Sequence, residues 1–188
     1  MGIIVALLVI FQSHSYNAVL ASKIDSMYTE DQRWRIEIMK IRNKQKSDYD
    51  ENTINERWTK ADSLNEELAK KIINKYGYPG YDLVGEKGSK RFWAIVQHCD
   101  DDLGFQEKVI LLMKHQIEKN NASKENYAYL RDRILINKNE KQLYGTQCHL
   151  NDKTHKWEPL PLKDPVHVDA LRKNMGMEPL ADYLKKMN

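Results

Sequence analysis

One histidine in this chain sits where an imidazole could do chemistry. In "VQHCDDD", Gln97 and His98 end an apolar stretch, and Asp100, Asp101 and Asp102 follow at once. An imidazole held at a helix C-terminus beside carboxylates suits general acid–base work near neutral pH. A structural, hydrogen-bonded histidine is the competing reading. His115, His149, His155 and His167 lie at mixed spacings that form no metal signature, and the Asp run lacks the alternating ligands and closing Glu of a calcium loop. No metal and no cofactor is expected.

A second stretch, "QLYGTQ", sets neutral polar groups around a tyrosine and a glycine. Leu143, Tyr144 and Thr146 favour extended backbone, so the spacing predicts a strand that runs on into Cys148 and His149. Alternation would then put Gln142, Tyr144 and Thr146 on one face, with Leu143, Gly145 and Gln147 on the other. Gly145 leaves room for a ligand or another backbone to approach. Such a polar shelf could orient amide or hydroxyl groups, with Gln97, Gln142, Thr146 and Gln147 binding substrate and Tyr144 beside His98 as a catalytic group. Alternatively, the glutamines satisfy backbone groups of neighbouring segments.

Two further stretches carry charge. In "EDQRWR", Asp31 and Arg35 stand four apart and can pair on a helix, with Gln32 beside them. In "YAYLRDR", Tyr129, Asp132 and Arg133 fall on one side at i, i+3 and i+4. Asp132 is taken as a third candidate catalytic residue, Asp31, Gln32, Arg35 and Arg133 as substrate-binding residues, and Arg133 or Arg35 as the group that fixes an anion. A buried Asp–Arg pair is the structural alternative for the second stretch.

The elements that must position these residues are mostly helices. Leu20, Ile24, Met27, Trp34, Ile38 and Ile41 recur at helical spacing within one long or broken helix from Asn17 to Lys46. Trp58 to Tyr76 forms a second, with Gly77 as its left-handed cap. "YDLVGEKGSK" reads as a connection, and Ser89 as the N-cap of a short helix from Lys90 to about His98. The Asp run caps a helix from Leu103 to Lys119, and Ser123 opens another that runs through Ile136. After the polar hexapeptide, "NDKT" is a turn and "KWEPLPL" an extended return, limited to an edge by Pro159 and Pro161. A helix near Val166 to Asn174 and a short last helix close the chain. The expected fold is mainly α, a helical domain with one small C-terminal β-hairpin.

The chain has 188 residues, 30% of them charged, with a net charge of +3. Acids and bases are interspersed, which leaves no basic stripe for nucleic acid. The first fifteen residues differ: Ile3 to Phe11 is an apolar run well short of the roughly twenty residues that span a bilayer. Ser13 and Ser15 then supply the small residues of a signal-peptidase site, although no Lys or Arg precedes the run. Residues 1–15 are therefore expected to be an export signal and residues 16–188 a single domain. That makes the mature protein periplasmic or secreted, with no stable membrane span after cleavage; retention as a membrane anchor is the alternative. Export would let Cys99 and Cys148 pair, and two small buried thiols is an equally good reading.

The ordered motifs "YGYPG", "VG", "VQHCDDD", "YAYLRDR", "QLYGTQ" and "DPVHVDALRKNMGMEPL" resemble a bacterial family known only as a domain of unknown function. The resemblance runs from about Asp31 to Leu184 and implies one domain without implying an activity. Cys99 stands where the family pattern implies a small residue, and Cys148 follows the YGTQ segment. A disulfide would therefore be particular to this branch.

Two functional readings follow. In one, the protein is a metal-independent acid–base enzyme, a hydrolase or lyase, with a pocket shared by His98 and the "QLYGTQ" hairpin. In the other it is a non-catalytic cell-envelope module that binds a small molecule, peptide, glycan or partner protein. The enzyme reading expects His98, Tyr144 and Gln147 to converge in one cleft with at least one of Asp31, Arg35, Asp132 or Arg133.

Overall fold

The computed structural model describes residues 15–188. Seven helices and one hairpin make up the described chain, in the order α1 (Ala18–Arg42), α2 (Glu51–Tyr76), α3 (Tyr81–Gln97), α4 (Leu103–Glu118), α5 (Lys124–Asn137), β1 (Cys148–Asn151), β2 (Lys156–Pro159), α6 (Val168–Asn174) and α7 (Leu180–Met187). The mainly α class with a small C-terminal hairpin is the observed architecture. The leader expected over residues 1–15 lies almost wholly outside the described residues. No described helix is long and apolar enough to cross a membrane.

Local chemistry explains most of the boundaries. Asn17, Asp50, Asp102 and Ser123 each accept a backbone N–H from the first turn of α1, α2, α4 and α5. A cap of this kind contributes about 1 kcal/mol. Gly77 closes α2 at φ 70°, the left-handed region that a side chain disfavours. α2 starts earlier than expected because Asp50 caps it within the polar loop. α3 includes most of the stretch read as a connection. Gly85, at φ 72° and ψ 166°, breaks the helical path there, so a turn and a helix are joined end to end. Ser89 is therefore not a cap. It is buried, with its hydroxyl 3.4 Å from that of Tyr78.

Two apolar clusters hold α1 to α5 together. The larger joins Leu20, Ile24 and Met27 of α1 to Ile72 and Ile73 of α2, Phe92 and Val96 of α3, Val109 and Met113 of α4, and Leu130 and Ile134 of α5. The smaller joins Trp34 and Ile38 to Ile54 and Ala61, with Tyr49 and Trp58 packed against it. Between them, along α1, the buried stripe passes through Asp31. Across the seam, buried Asn65 donates to the Met27 carbonyl at 3.1 Å. A polar layer thus separates the two apolar clusters.

The C-terminal part departs from the sequence expectation in register. β1 and β2 pair antiparallel, Leu150 opposite Trp157, but the strand starts only at Cys148. Residues 142–147 are irregular, apart from a single parallel bridge between Gln142 and Leu162. Gly145 sits at φ 71°, and an added Cβ would meet a Leu180 methyl at 2.9 Å. That left-handed turn ends the extended path the alternation required. Cys99 and Cys148 are both free thiols, so the structure holds no disulfide between them.

Candidate functional site

The polar layer on α1 opens onto a cleft between α2 and the C-terminal turn of α3. Asp31 is 1% exposed, and its Oδ1 lies 2.8 Å from His98 Nδ1. The same oxygen accepts from Arg35 Nη2 at 3.1 Å, and Oδ2 accepts from Gln32 Nε2 at 2.6 Å. Burial alone would raise the Asp31 carboxyl. The His98 hydrogen bond and charge, followed by those of Arg35, outweigh that and hold it below the usual carboxylate range. Asp31 is therefore an anion that accepts the Nδ1 proton, which fixes the ring and leaves Nε2 for other partners.

Arg35 bridges two acids. Its Nη2 also donates to Asp62 Oδ1 at 2.7 Å, while Trp58 Nε1 donates to Asp62 Oδ2 at 2.7 Å. The guanidinium carbon stands 4.6 Å over the Trp58 ring. Burial raises the Asp62 carboxyl, and the Arg35 charge only partly opposes it. His98, Asp62 and Trp58 line an open cleft of about 620 Å³, together with Asn55, Thr59, Ser63, Glu66, Glu67 and Asp101. That volume lies within the range of small-ligand pockets.

The turn carrying His98 is pinned from below. Gln106 of α4, fully buried, donates to the carbonyls of Val96 and Gln97 at 3.1 and 3.4 Å. Arg133 of α5 grips Asp100 through both Nε, at 2.8 Å, and Nη2, and Asn137 adds a bond at 2.9 Å. The three aspartates divide the work: Asp100 anchors, Asp101 faces the cleft, and Asp102 caps α4.

The hexapeptide forms a different structure. The Asp132 carboxylate, 0% exposed, accepts backbone N–H groups from Leu143 at 2.7 Å, Tyr144 at 3.1 Å and Thr146 at 3.0 Å, plus the Thr146 hydroxyl at 3.0 Å. Burial raises this carboxyl and the four donors pull it back only part of the way. Gln142, also fully buried, ties the ends of the loop: its amide donates to the carbonyls of Gln147 and Leu160 and accepts from the Gln147 N–H at 2.9 Å. Gln147 Nε2 turns inward to Thr146 Oγ1. From the other side Arg172, 1% exposed, donates to the Tyr144 carbonyl at 2.7 Å and to that of Glu178 at 2.6 Å. Tyr144 packs with Ala128 and Met177.

The sequence-derived site therefore divides. Asp31, Gln32, Arg35 and His98 come together at the cleft. Tyr144, Asp132, Gln142, Thr146 and Gln147 come together as a clasp, and none of them lines the cleft. Their polar groups are consumed by backbone, which matches the alternative reading of the glutamines. Gln97 contributes its carbonyl to Gln106 and does not line the cleft. Arg133 points to Asp100 and not to Asp132, so the Asp132–Arg133 pair given as the alternative does not form. Tyr129 stacks edge-on against Trp93 and Tyr183 instead. Neither Arg35 nor Arg133 is free to fix an anion, since carboxylates occupy both.

Sequence reasoning missed Trp58 and Asp62. Their signal was an i, i+4 indole–carboxylate pair within the second helix. Among the described residues, no three His, Cys, Asp or Glu side chains converge as a metal site. No curated protein and no solved structure matches the chain. A family model does match, over residues 20–188, and takes in every residue of both the cleft and the clasp. The chain belongs to the family of unknown function DUF6624.

Proposed function

We propose that the protein is an acid–base enzyme, a hydrolase or lyase, whose working group is the His98 imidazole backed by Asp31. The observation that carries this reading is the buried Asp31 carboxylate on Nδ1, 2.8 Å away, behind a histidine that lines a ligand-sized cleft. In a hydrolysis, Nε2 would take a proton from water as its oxygen attacks the scissile carbon. The same nitrogen would then return that proton to the leaving group. Asp31 would hold the ring in the required tautomer and stabilise the transient imidazolium. Arg35 and Gln32 orient Asp31, and the pinned turn orients His98. The clasp around Asp132 serves as scaffold in this reading. Export to the periplasm or beyond is part of the proposal, supported by the apolar run Ile3–Phe11 and the small residues after it.

A panel of ester, amide, glycoside and β-elimination substrates, read by mass spectrometry, tests the reading. Turnover should fall by about 10²–10⁴-fold in His98→Gln and also drop in Asp31→Asn, with the circular dichroism of both variants unchanged. Turnover indifferent to His98→Gln refutes it. A ligand that binds through His98 and is never converted would instead favour the binding-module reading.

A further inference from the structure

The two cations in close contact with the acids of the cleft, Arg35 and Lys70, are both already paired. Arg35 is held between Asp31 and Asp62, and Lys70 between Glu66 at 2.5 Å and Asp102 at 2.7 Å. No Lys or Arg lines the cavity, whereas four carboxylates do: Asp62, Glu66, Glu67 and Asp101. Two of these lack a close partner. Glu67 has only Lys71, at 3.9 Å and largely solvated, and Asp101 makes no ion pair among the described residues. The remaining lining groups, Asn55, Thr59 and Ser63, are neutral and can accept N–H donors. Trp58 adds an aromatic ring, and the site already holds one guanidinium against that ring.

An anionic substrate would enter this cleft against uncompensated like charge and find no free Lys or Arg in its lining. A cationic one would meet carboxylates, neutral acceptors and an aromatic surface. Resting on the reading of the cleft as the site of His98 chemistry, we infer that its substrate carries a positive charge, as an ammonium or guanidinium group. That group would lie toward Glu67 and Asp101, leaving the rest of the substrate toward Trp58 and its reactive bond toward His98 Nε2.

Two-dimensional NMR of the full chain, following the His98 ring protons and the Trp58 indole N–H, tests this. The probes are agmatine and arginine amide, with succinate as the anionic comparator and N-acetylglucosamine as the neutral one. Both cationic probes should shift the two signals saturably at millimolar concentration, and succinate should leave them in place. Glu67→Gln with Asp101→Asn, both at exposed positions, should weaken agmatine by a few-fold to about tenfold, as expected for two exposed charge contacts. Raising the salt concentration should weaken it likewise. Three results overturn the inference: no response to either cationic probe, a response unchanged in the double variant, or a response to succinate or N-acetylglucosamine alone. In that last case, loss of the response in His98→Ala would leave the His98 reading standing while the charge assignment falls.

Discussion

Replacing Asp132 by asparagine removes one oxygen and one charge from the centre of the clasp. In the native structure Oδ1 takes the Leu143 and Tyr144 N–H groups, the latter shared with Oδ2 at 3.1 Å, and Oδ2 takes the N–H and hydroxyl of Thr146. An asparagine oxygen can keep the first pair, but its NH₂ then faces the Thr146 N–H, donor against donor. The Thr146 hydroxyl can rotate to accept; its N–H cannot. One buried N–H left without a partner costs about 1–3 kcal/mol, and the surviving bonds lose charge assistance worth roughly another 1 kcal/mol each. Relief from burying a charge offsets part of this, as the raised Asp132 carboxyl indicates. The net loss is then about 2–4 kcal/mol, a large share of a domain's usual stability. With an m-value near 2 kcal/mol per molar, the urea midpoint should fall by about 1–2 M. Thr146→Val, which removes only the hydroxyl contact, should cost about 1 kcal/mol. The pH dependence adds a second check. A carboxyl raised on folding binds its proton more tightly in the native state, so its contribution declines as pH rises from about 4 through the folded value. The gap between wild type and Asp132→Asn should therefore narrow over that interval. An unchanged midpoint, or a gap that widens there, refutes the reasoning.

Asp31 should behave with the opposite sign. Its carboxyl is lowered on folding, so its stabilisation is complete above the unfolded value near 3.9 and is lost as pH falls through the folded one; thermal melts of wild type and Asp31→Asn should converge in acid below about pH 4. Gly145→Ala forces a side chain into a left-handed turn and against Leu180, and a loss of about 1–3 kcal/mol in chemical denaturation is expected. Burial pushes the Cys99 thiol up to about 12; iodoacetamide at pH 8 should leave Cys99 unlabelled in the folded protein. The chain unfolded without reductant should titrate as two thiols, and a count of none would contradict the structure.

The helical frame was legible because its signals are local. Caps at Asp102 and Ser123 and a stripe at Leu20, Ile24, Met27, Trp34 and Ile38 need no knowledge of the partner helix. The polar group behind the cleft was partly legible too: Asp31 and Arg35 as an i, i+4 pair, and His98 as an imidazole with a fixed context. What joins them is a contact across 67 residues of chain, which no spacing rule supplies. The hint lay in the stripe itself, where position 31 is a core position filled by an acid. The hexapeptide misled for a different reason. Its residue types favour extended backbone, but a buried carboxylate on α5 outcompeted strand pairing for three of its N–H groups. Polar residues bunched in one segment thus marked a loop held from within.

Neighbouring residues on α5 reach in two directions: Asp132 gathers the clasp, and Arg133 holds the aspartate two places beyond the imidazole. One turn of α5 thus ties both the turn that carries His98 and the loop of residues 143–146. Substitutions in the last quarter of the chain should be felt as a loosening of the His98 ring.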